Sequence, residues 1–159
     1  MTEQEQMNEL IDKVHQWGVD RKIIGNGKLE TQWLKLLSEF GEMCDTLAKG
    51  GDPIDDIGDQ LVVLIMMAGI AGIVDDVKKL GIPSGMGGWG SMMSVSGLNF
   101  EYGRIMRDFS KCTFAICFVE LDNIAVNHKL TYQQCLEHAY NQIKDRKGYL
   151  NEQGVFIKE

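Results

Sequence analysis

The sequence predicts an all-α protein, an antiparallel bundle of about five helices around one core. Three observations lead there. Apolar residues recur with a period near 3.6 along every long segment. Glycine and proline punctuate the boundaries between those segments. The greasiest run, 61–73, is closely bracketed by acidic residues and is shorter than the ~20 apolar residues that span a bilayer, so it reads as a buried core helix. A chain of 159 residues fits a single domain, spanning 1–159, with a real core.

The first helix covers about 2–17, with Met7, Leu10, Ile11, Val14 and Trp17 on one face, and Gly25, Asn26 and Gly27 mark the loop after it. A second helix covers about 30–48 and buries Trp33, Leu36, Leu37, Phe40 and Leu47, while Gln32, Lys35, Glu39 and Glu42 share a separate polar stripe. Gly50, Gly51 and Pro53 stop that helix and start a third, N-capped by Asp52 and continuing to about Leu80. Residues 81–103 contain Pro83 and the glycines of SGMGGWGSMMSVSG, and read as a long loop or irregular insertion of the kind that accompanies function or disorder. A fourth helix covers about 102–127 through Met106, Phe109, Phe114, Phe118 and Leu121. The fifth is N-capped by Thr131 and runs to about Lys147, and the tail GYLNEQGVFIKE alternates weakly, as a short extended piece would. No internal repeat or heptad array stands out.

Composition narrows the function classes. Hydrophobic residues are 44% and charged residues 25%, ordinary for a globular chain. A net charge of −7 argues against nucleic-acid binding by a broad basic surface. Lys144, Arg146 and Lys147 are nonetheless clustered, enough to grip one small anion. Cys44, Cys112, Cys117 and Cys135 match neither a zinc ribbon nor a CxxC pair, and free thiols imply a reducing cytoplasm. The polar N-terminus has no apolar signal core. Gly85, Gly87 and Gly90 spell GxGxxG, but no strand precedes them and no convincing helix follows, so a dinucleotide site fails its context. His15, His128 and His138 are isolated, and no Glu-x-x-His exists to build a di-iron bundle.

The carboxylates carry the chemistry. Glu39 and Glu42 are three apart on the second helix, and Asp56 and Asp59 three apart on the third, so each pair shares a helix face. Helices joined by so short a connection run antiparallel in contact, which brings the four acids together. Two like charges at about 5 Å repel by about 3 kcal/mol even at an effective dielectric near 20. A hard divalent cation, magnesium or manganese, removes that cost with oxygen ligands. The bland alternative is a solvated acidic face. Against it, Leu36, Leu37, Phe40 and Met43 flank the first pair, and the second leads straight into an apolar run.

Glu39-x-x-Glu42, a short loop, then Asp56-x-x-Asp59 resembles the MazG-type all-α nucleoside triphosphate pyrophosphohydrolases, whose pattern is ExxE followed by ExxD. The segments WGVDRKIIGNGKLETQWLKLLSEFGEM, DDIGDQLVVL and AYNQIKDRKGYLNEQGVFIKE resemble the phage-type MazG-like proteins, leaving mainly the stretch around Gly85 to Gly97 poorly matched. The chain departs from the motif at Asp56, where the family has Glu. Asp55, four residues before Asp59, is the substitute ligand or outer neighbour. The resemblance implies magnesium-dependent cleavage of a nucleoside triphosphate between the α and β phosphorus, giving a monophosphate and pyrophosphate. It implies that Glu39, Glu42, Asp59 and Asp56 hold Mg²⁺, with Mn²⁺ a substitute, and that catalysis rests on Glu39 and Glu42, Glu39 orienting or deprotonating the attacking water.

The resemblance further implies phosphate contacts from Lys144, Arg146 and Lys147, although a basic helix C-terminus favoured by the macrodipole explains that run equally well. Asn141 with Lys144 resembles the family's Asn-x-x-Lys element. Trp17 and Arg21 fall where base or ribose contact is implied, with a core role for Trp17 the other reading. Lys35, one turn before Glu39, pairs with that carboxylate or tunes it. A dimer or tetramer and, from the phage-type likeness, viral origin and nucleotide-pool control in a host cytoplasm are also implied. The base stays open, guanosine tetraphosphate included. The competing readings are a helical module that binds a nucleotide or alarmone without turnover, and a purely structural bundle.

Overall fold

Helix α1 (Glu3–Asp20) begins at a reciprocal cap: the Thr2 hydroxyl accepts from the Glu5 amide at 3.1 Å, and the Glu5 carboxylate accepts from the Thr2 amide at 2.7 Å. The computed structural model describes all 159 residues. After a single turn α2 (Ile23–Asn26), the chain forms α3 (Leu29–Ala48), α4 (Ile54–Ala71), α5 (Val74–Leu80), α6 (Ser91–Arg104), α7 (Lys111–Asn127) and α8 (Tyr132–Ile143). A small antiparallel hairpin, β1 (Gly148–Leu150) and β2 (Phe156–Lys158), closes the chain with Tyr149 opposite Ile157. The protein is all-helical apart from that hairpin.

Helix α4 is the centre, packed chiefly against α3 and α8. It is buried nearly all round, including the unbroken stretch Gln60 to Ala68, as a central helix must be. The α4–α8 approach depends on Gly58, where a Cβ would lie 2.3 Å from the Cys135 carbonyl oxygen. Asp52 does not occupy the N-cap position, which is Pro53, yet its carboxylate accepts from the Ile54 amide at 3.1 Å and satisfies one free donor of the first turn. No helix is long and apolar enough to cross a membrane.

The expected five helices become eight segments for local reasons. The span 53–80 is cut at Gly72, which sits at φ 75 and ends α4 with its amide turned back to Ala68 and Gly69. The loop expected over 81–103 is confined to 81–90, because Ser94, Leu98 and Tyr102 recur every four residues and bury α6 in spite of its glycines. The remaining loop is pinned: Asp122 accepts from Ser84 Oγ (2.8 Å) and the Gly85 amide (2.7 Å), and Asn123 accepts from the Gly88 amide (2.9 Å). The span 102–127 breaks after Arg104 and restarts at Ser110, whose hydroxyl caps α7. Thr131 caps α8 as expected, but α8 ends at Ile143 rather than near Lys147. All four cysteines are free; Cys117 and Cys135 are buried, Cys44 half-buried and Cys112 exposed.

Candidate functional site

One face of α3 and the start of α4 form the acidic wall of a cavity of about 370 Å³. Glu39 and Glu42 come from α3 and Asp59 from α4, and Lys35 stands beside them. The opposite wall is supplied by the end of α8 and the tail: Gln142, Ile143, Arg146, Phe156 and Lys158. Val62, Val63 and Met66, with Trp17 and Ile23, make the apolar side, and Gln32 completes the lining one turn before Lys35. Such a site, part apolar and part charged with a few polar groups, is the usual form of a small-molecule pocket.

The electrostatics are strained by design of the helices. Glu39 is buried; its Oε1 accepts from Lys35 Nζ at 3.1 Å, and its Oε2 is buried with no partner. The Glu39 charge, then burial, raises the Glu42 carboxyl above the usual range. Burial first, then Glu39 and Asp55, pushes Asp59 up to about 6, while Lys35 pulls it down. Asp56 is buried and raised chiefly by burial, opposed by a hydrogen bond from Thr46. Each shift says that negative charge here lacks enough compensation.

The donor set, all carboxylate oxygens with one orphaned, fits a hard cation. No three His, Cys, Asp or Glu side chains are gathered at metal-ligand spacing, so the acids do not form a closed cage. Magnesium does not require one: it commonly keeps several waters and takes only one or two carboxylates.

The remaining sequence candidates fall in different places. Asp55 is exposed and its Oδ1 meets His138 Nε2 and accepts from Gln142 Nε2 at 3.3 Å, while Asp56 is buried; neither lines the cavity, and the charges of both raise Asp59, that of Asp55 more. Trp17 is buried, donates Nε1–H to the Ile143 carbonyl at 2.9 Å and meets Phe156 edge-on at 5.7 Å; it is a core aromatic that also walls the cavity. Arg21 lies over Trp17 at 4.8 Å and donates to the carbonyls of Arg146 (2.7 Å) and Lys144 (3.1 Å), tying down the end of α8 rather than facing the acids.

Of the basic cluster, Arg146 alone lines this cavity. Asn141 and Lys144 are exposed and outside it: Asn141 lies within α8 on a face away from the cavity, where Gln142 is presented instead, and Lys144 follows the end of α8 at Ile143. Lys147 lines a more open hollow of about 760 Å³ on the other side of Arg146, shared with Arg21 and Lys22 but also with Asp20, Glu152 and Glu159. That mixture of charge makes it the weaker candidate.

Sequence reasoning missed Gln32, Gln142, Phe156 and Lys158 as lining residues. Gln32 had a signal, since it shares the polar stripe of Lys35, Glu39 and Glu42. Phe156 and Lys158 had none: the hairpin's return to Trp17 is a tertiary event with no local signature.

No protein-family profile matches the chain, and no solved structure matches it. A 64-residue segment is 36% identical to an uncharacterized 18.2 kDa protein in the rep-hol intergenic region of Haemophilus phage HP1 (strain HP1c1). That alignment covers 39% of this chain and 39% of the phage protein, so the chain spans about two fifths of the length of the relative it matches.

Proposed function

We propose that the protein is a magnesium-dependent nucleoside triphosphate pyrophosphohydrolase of the MazG-like type, releasing a nucleoside monophosphate and pyrophosphate. The observation that carries this reading is the Glu39 carboxylate: buried, half-bonded to Lys35, and facing Glu42 and Asp59 in a cavity whose far wall bears Arg146 and Lys158. Acids on one wall and cations on the other suit a cation–polyphosphate pair. The apolar remainder suits a nucleoside.

One or two of Glu39, Glu42 and Asp59 would hold Mg²⁺ directly, with waters filling the rest of its shell. When bound, the ion neutralises charge that builds on the leaving pyrophosphate. Arg146 and Lys158 bind the phosphate oxygens and draw the chain of phosphates away from the acidic wall. Glu39 Oε2 is free to orient a water and accept its proton, while Lys35 fixes Oε1 and with it the plane of the carboxylate. The same reading expects a homo-oligomer. Met92, Met93 and Phe100, each about two-thirds exposed on α6, support it as an apolar face in need of cover.

A panel of ribo- and deoxynucleoside triphosphates with Mg²⁺, scored separately for pyrophosphate and orthophosphate, tests the reaction. Pyrophosphate from any member is the expected result. Orthophosphate alone means that a different bond is cut, and no product from any member overturns the enzyme.

A further inference from the structure

Two glutamines are buried in this fold, and they differ in one respect. Gln60 is saturated: its amide donates to the Asp56 carbonyl at 3.0 Å and to Met43 Sδ at 3.2 Å, and its oxygen accepts from Tyr102 Oη at 3.1 Å. Gln32 is 4% exposed, lines the cavity, and its side-chain amide is hydrogen-bonded to no protein group. Its amide atoms are not sealed from the cavity, so they are open to a partner that enters there.

The other lining residues leave Gln32 alone in its class. The Trp17 N–H is engaged by Ile143, and Gln142 is engaged by Asp55 and His138. Lys35, Arg146 and Lys158 are cations suited to phosphate oxygens, and Glu39, Glu42 and Asp59 are acids. Gln32 is thus the one uncommitted neutral side chain of the cavity that both donates and accepts. It stands seven residues, or two turns, before Glu39 on the same helix, about 10 Å along the axis. That places it at the far end of the pocket from the acids, beside the apolar wall.

We propose that Gln32 is the specificity-determining residue of the pocket, its amide hydrogen-bonding the edge of the nucleobase while the phosphates lie between Glu39 and Arg146. An amide presents a donor beside an acceptor, the complement of the paired groups on a base edge. The inference rests on the proposed nucleotide reading. It adds that base choice is made by a hydrogen bond from α3 and not by shape alone.

The test compares wild type with Gln32→Leu and Gln32→Ala on ATP, GTP, CTP, UTP and their deoxy forms, with kcat and KM measured separately. Both variants are expected to lose about 10- to 100-fold in kcat/KM on the preferred base, mostly in KM, and to flatten the ranking among bases. Gln32→Leu should melt no lower than wild type, since no protein hydrogen bond is lost, and should keep any Mg²⁺-induced rise in melting temperature. An unchanged ranking, or an equal fall in kcat on every base, overturns the role. If wild type releases no pyrophosphate, the proposed reaction fails, and thermal shift with the nucleoside monophosphates still decides about Gln32. Base-selective shifts in wild type that vanish in Gln32→Leu keep it; shifts that persist, or none at all, overturn it.

Discussion

Lys35 Nζ sits 3.1 Å from Glu39 Oε1, and the other oxygen of that carboxylate is buried with nothing to bond. One ammonium therefore serves an acidic group that also includes Glu42 and Asp59, and it opposes the rise of both. Being half exposed, this ion pair adds little to stability by itself. Its effect is electrostatic tuning. In Lys35→Met the Asp59 carboxyl should titrate above its value of about 6, a shift read by carboxyl NMR across pH. An unmoved titration would remove Lys35 from the site's electrostatics.

Asp59 gives a stability prediction with a definite sign. Its folded value of about 6 exceeds the ordinary 3.8, so between those pH values the folded state binds more protons than the unfolded one. The stability this group contributes is present below pH 3.8, falls as pH rises toward about 6, and stays low above it. Asp59→Asn removes this half-buried charge. The variant without added metal should melt on the order of 3 °C higher at pH 8, with the gain shrinking to nothing below pH 4. Addition of Mg²⁺ should reverse the order, raising wild type and leaving the variant unmoved. A gain independent of pH would mean that Asp59 is not strained by its charge.

Glu39→Gln keeps the size of the side chain and removes its ability to accept a proton, whereas Glu42→Ala removes a carboxylate with little burial behind it. Pyrophosphate release should fall at least about 100-fold in each, the usual scale for a lost acid–base group. The Mg²⁺-induced rise in melting temperature should weaken in both. Full activity in Glu42→Ala would take the cation away from these carboxylates.

Much of this arrangement was legible in the sequence, and the gaps have physical causes. The α3 stripe and the cap at Thr131 are local patterns, readable from spacing alone, whereas Thr2 caps a helix that was expected to include it. The surroundings of Asp55 and Asp56 are not local: adjacent residues meet different neighbours, His138 on α8 for Asp55 and Thr46 on α3 for Asp56. Helix α6 was hidden by Gly97 and Gly103, since glycine lowers helix propensity, and only the burial of Leu98 and Tyr102 overrides it. That Lys144 and Asn141 do not line the cavity was not readable either: the end of α8 is held by long-range bonds from Trp17 and Arg21, and the face that α8 turns to the cavity is set by its packing on α4.

Those bonds make a latch for the tail. Trp17 on α1 and Arg21 just past its end hold the carbonyls of Ile143, Lys144 and Arg146, and Phe156 from the hairpin packs on Trp17. Arg21→Ala removes two of the three bonds and the cation–π contact while leaving the acidic wall intact. The hairpin should then open more often, bringing faster proteolytic cleavage after Lys147 and Lys158 and a KM raised several-fold through the loss of Arg146 and Lys158 from the far wall. Unchanged cleavage would show that the hairpin holds itself.

The last constraint lies where two helices nearly touch. A Cβ on Gly58 would fall 2.3 Å from the Cys135 carbonyl oxygen and 2.8 Å from the Ala139 Cβ, both on α8. Backbone and a methyl group cannot swing aside as a long side chain can, so α4 and α8 must separate. In a core packed at crystal density that shift propagates. Asp59, one residue on, moves with α4, and Gln142 and Arg146 move with α8. Gly58→Ala should therefore destabilise the fold by about 1–3 kcal/mol, the range for overpacking, and also weaken nucleotide binding by widening the cavity. Gly41→Ala on α3, where a Cβ meets nothing within 4 Å, is the matched control and should raise stability by up to about 1 kcal/mol while leaving binding unchanged. Equal behaviour of the two variants in urea unfolding would mean that α4 and α8 do not need their close approach.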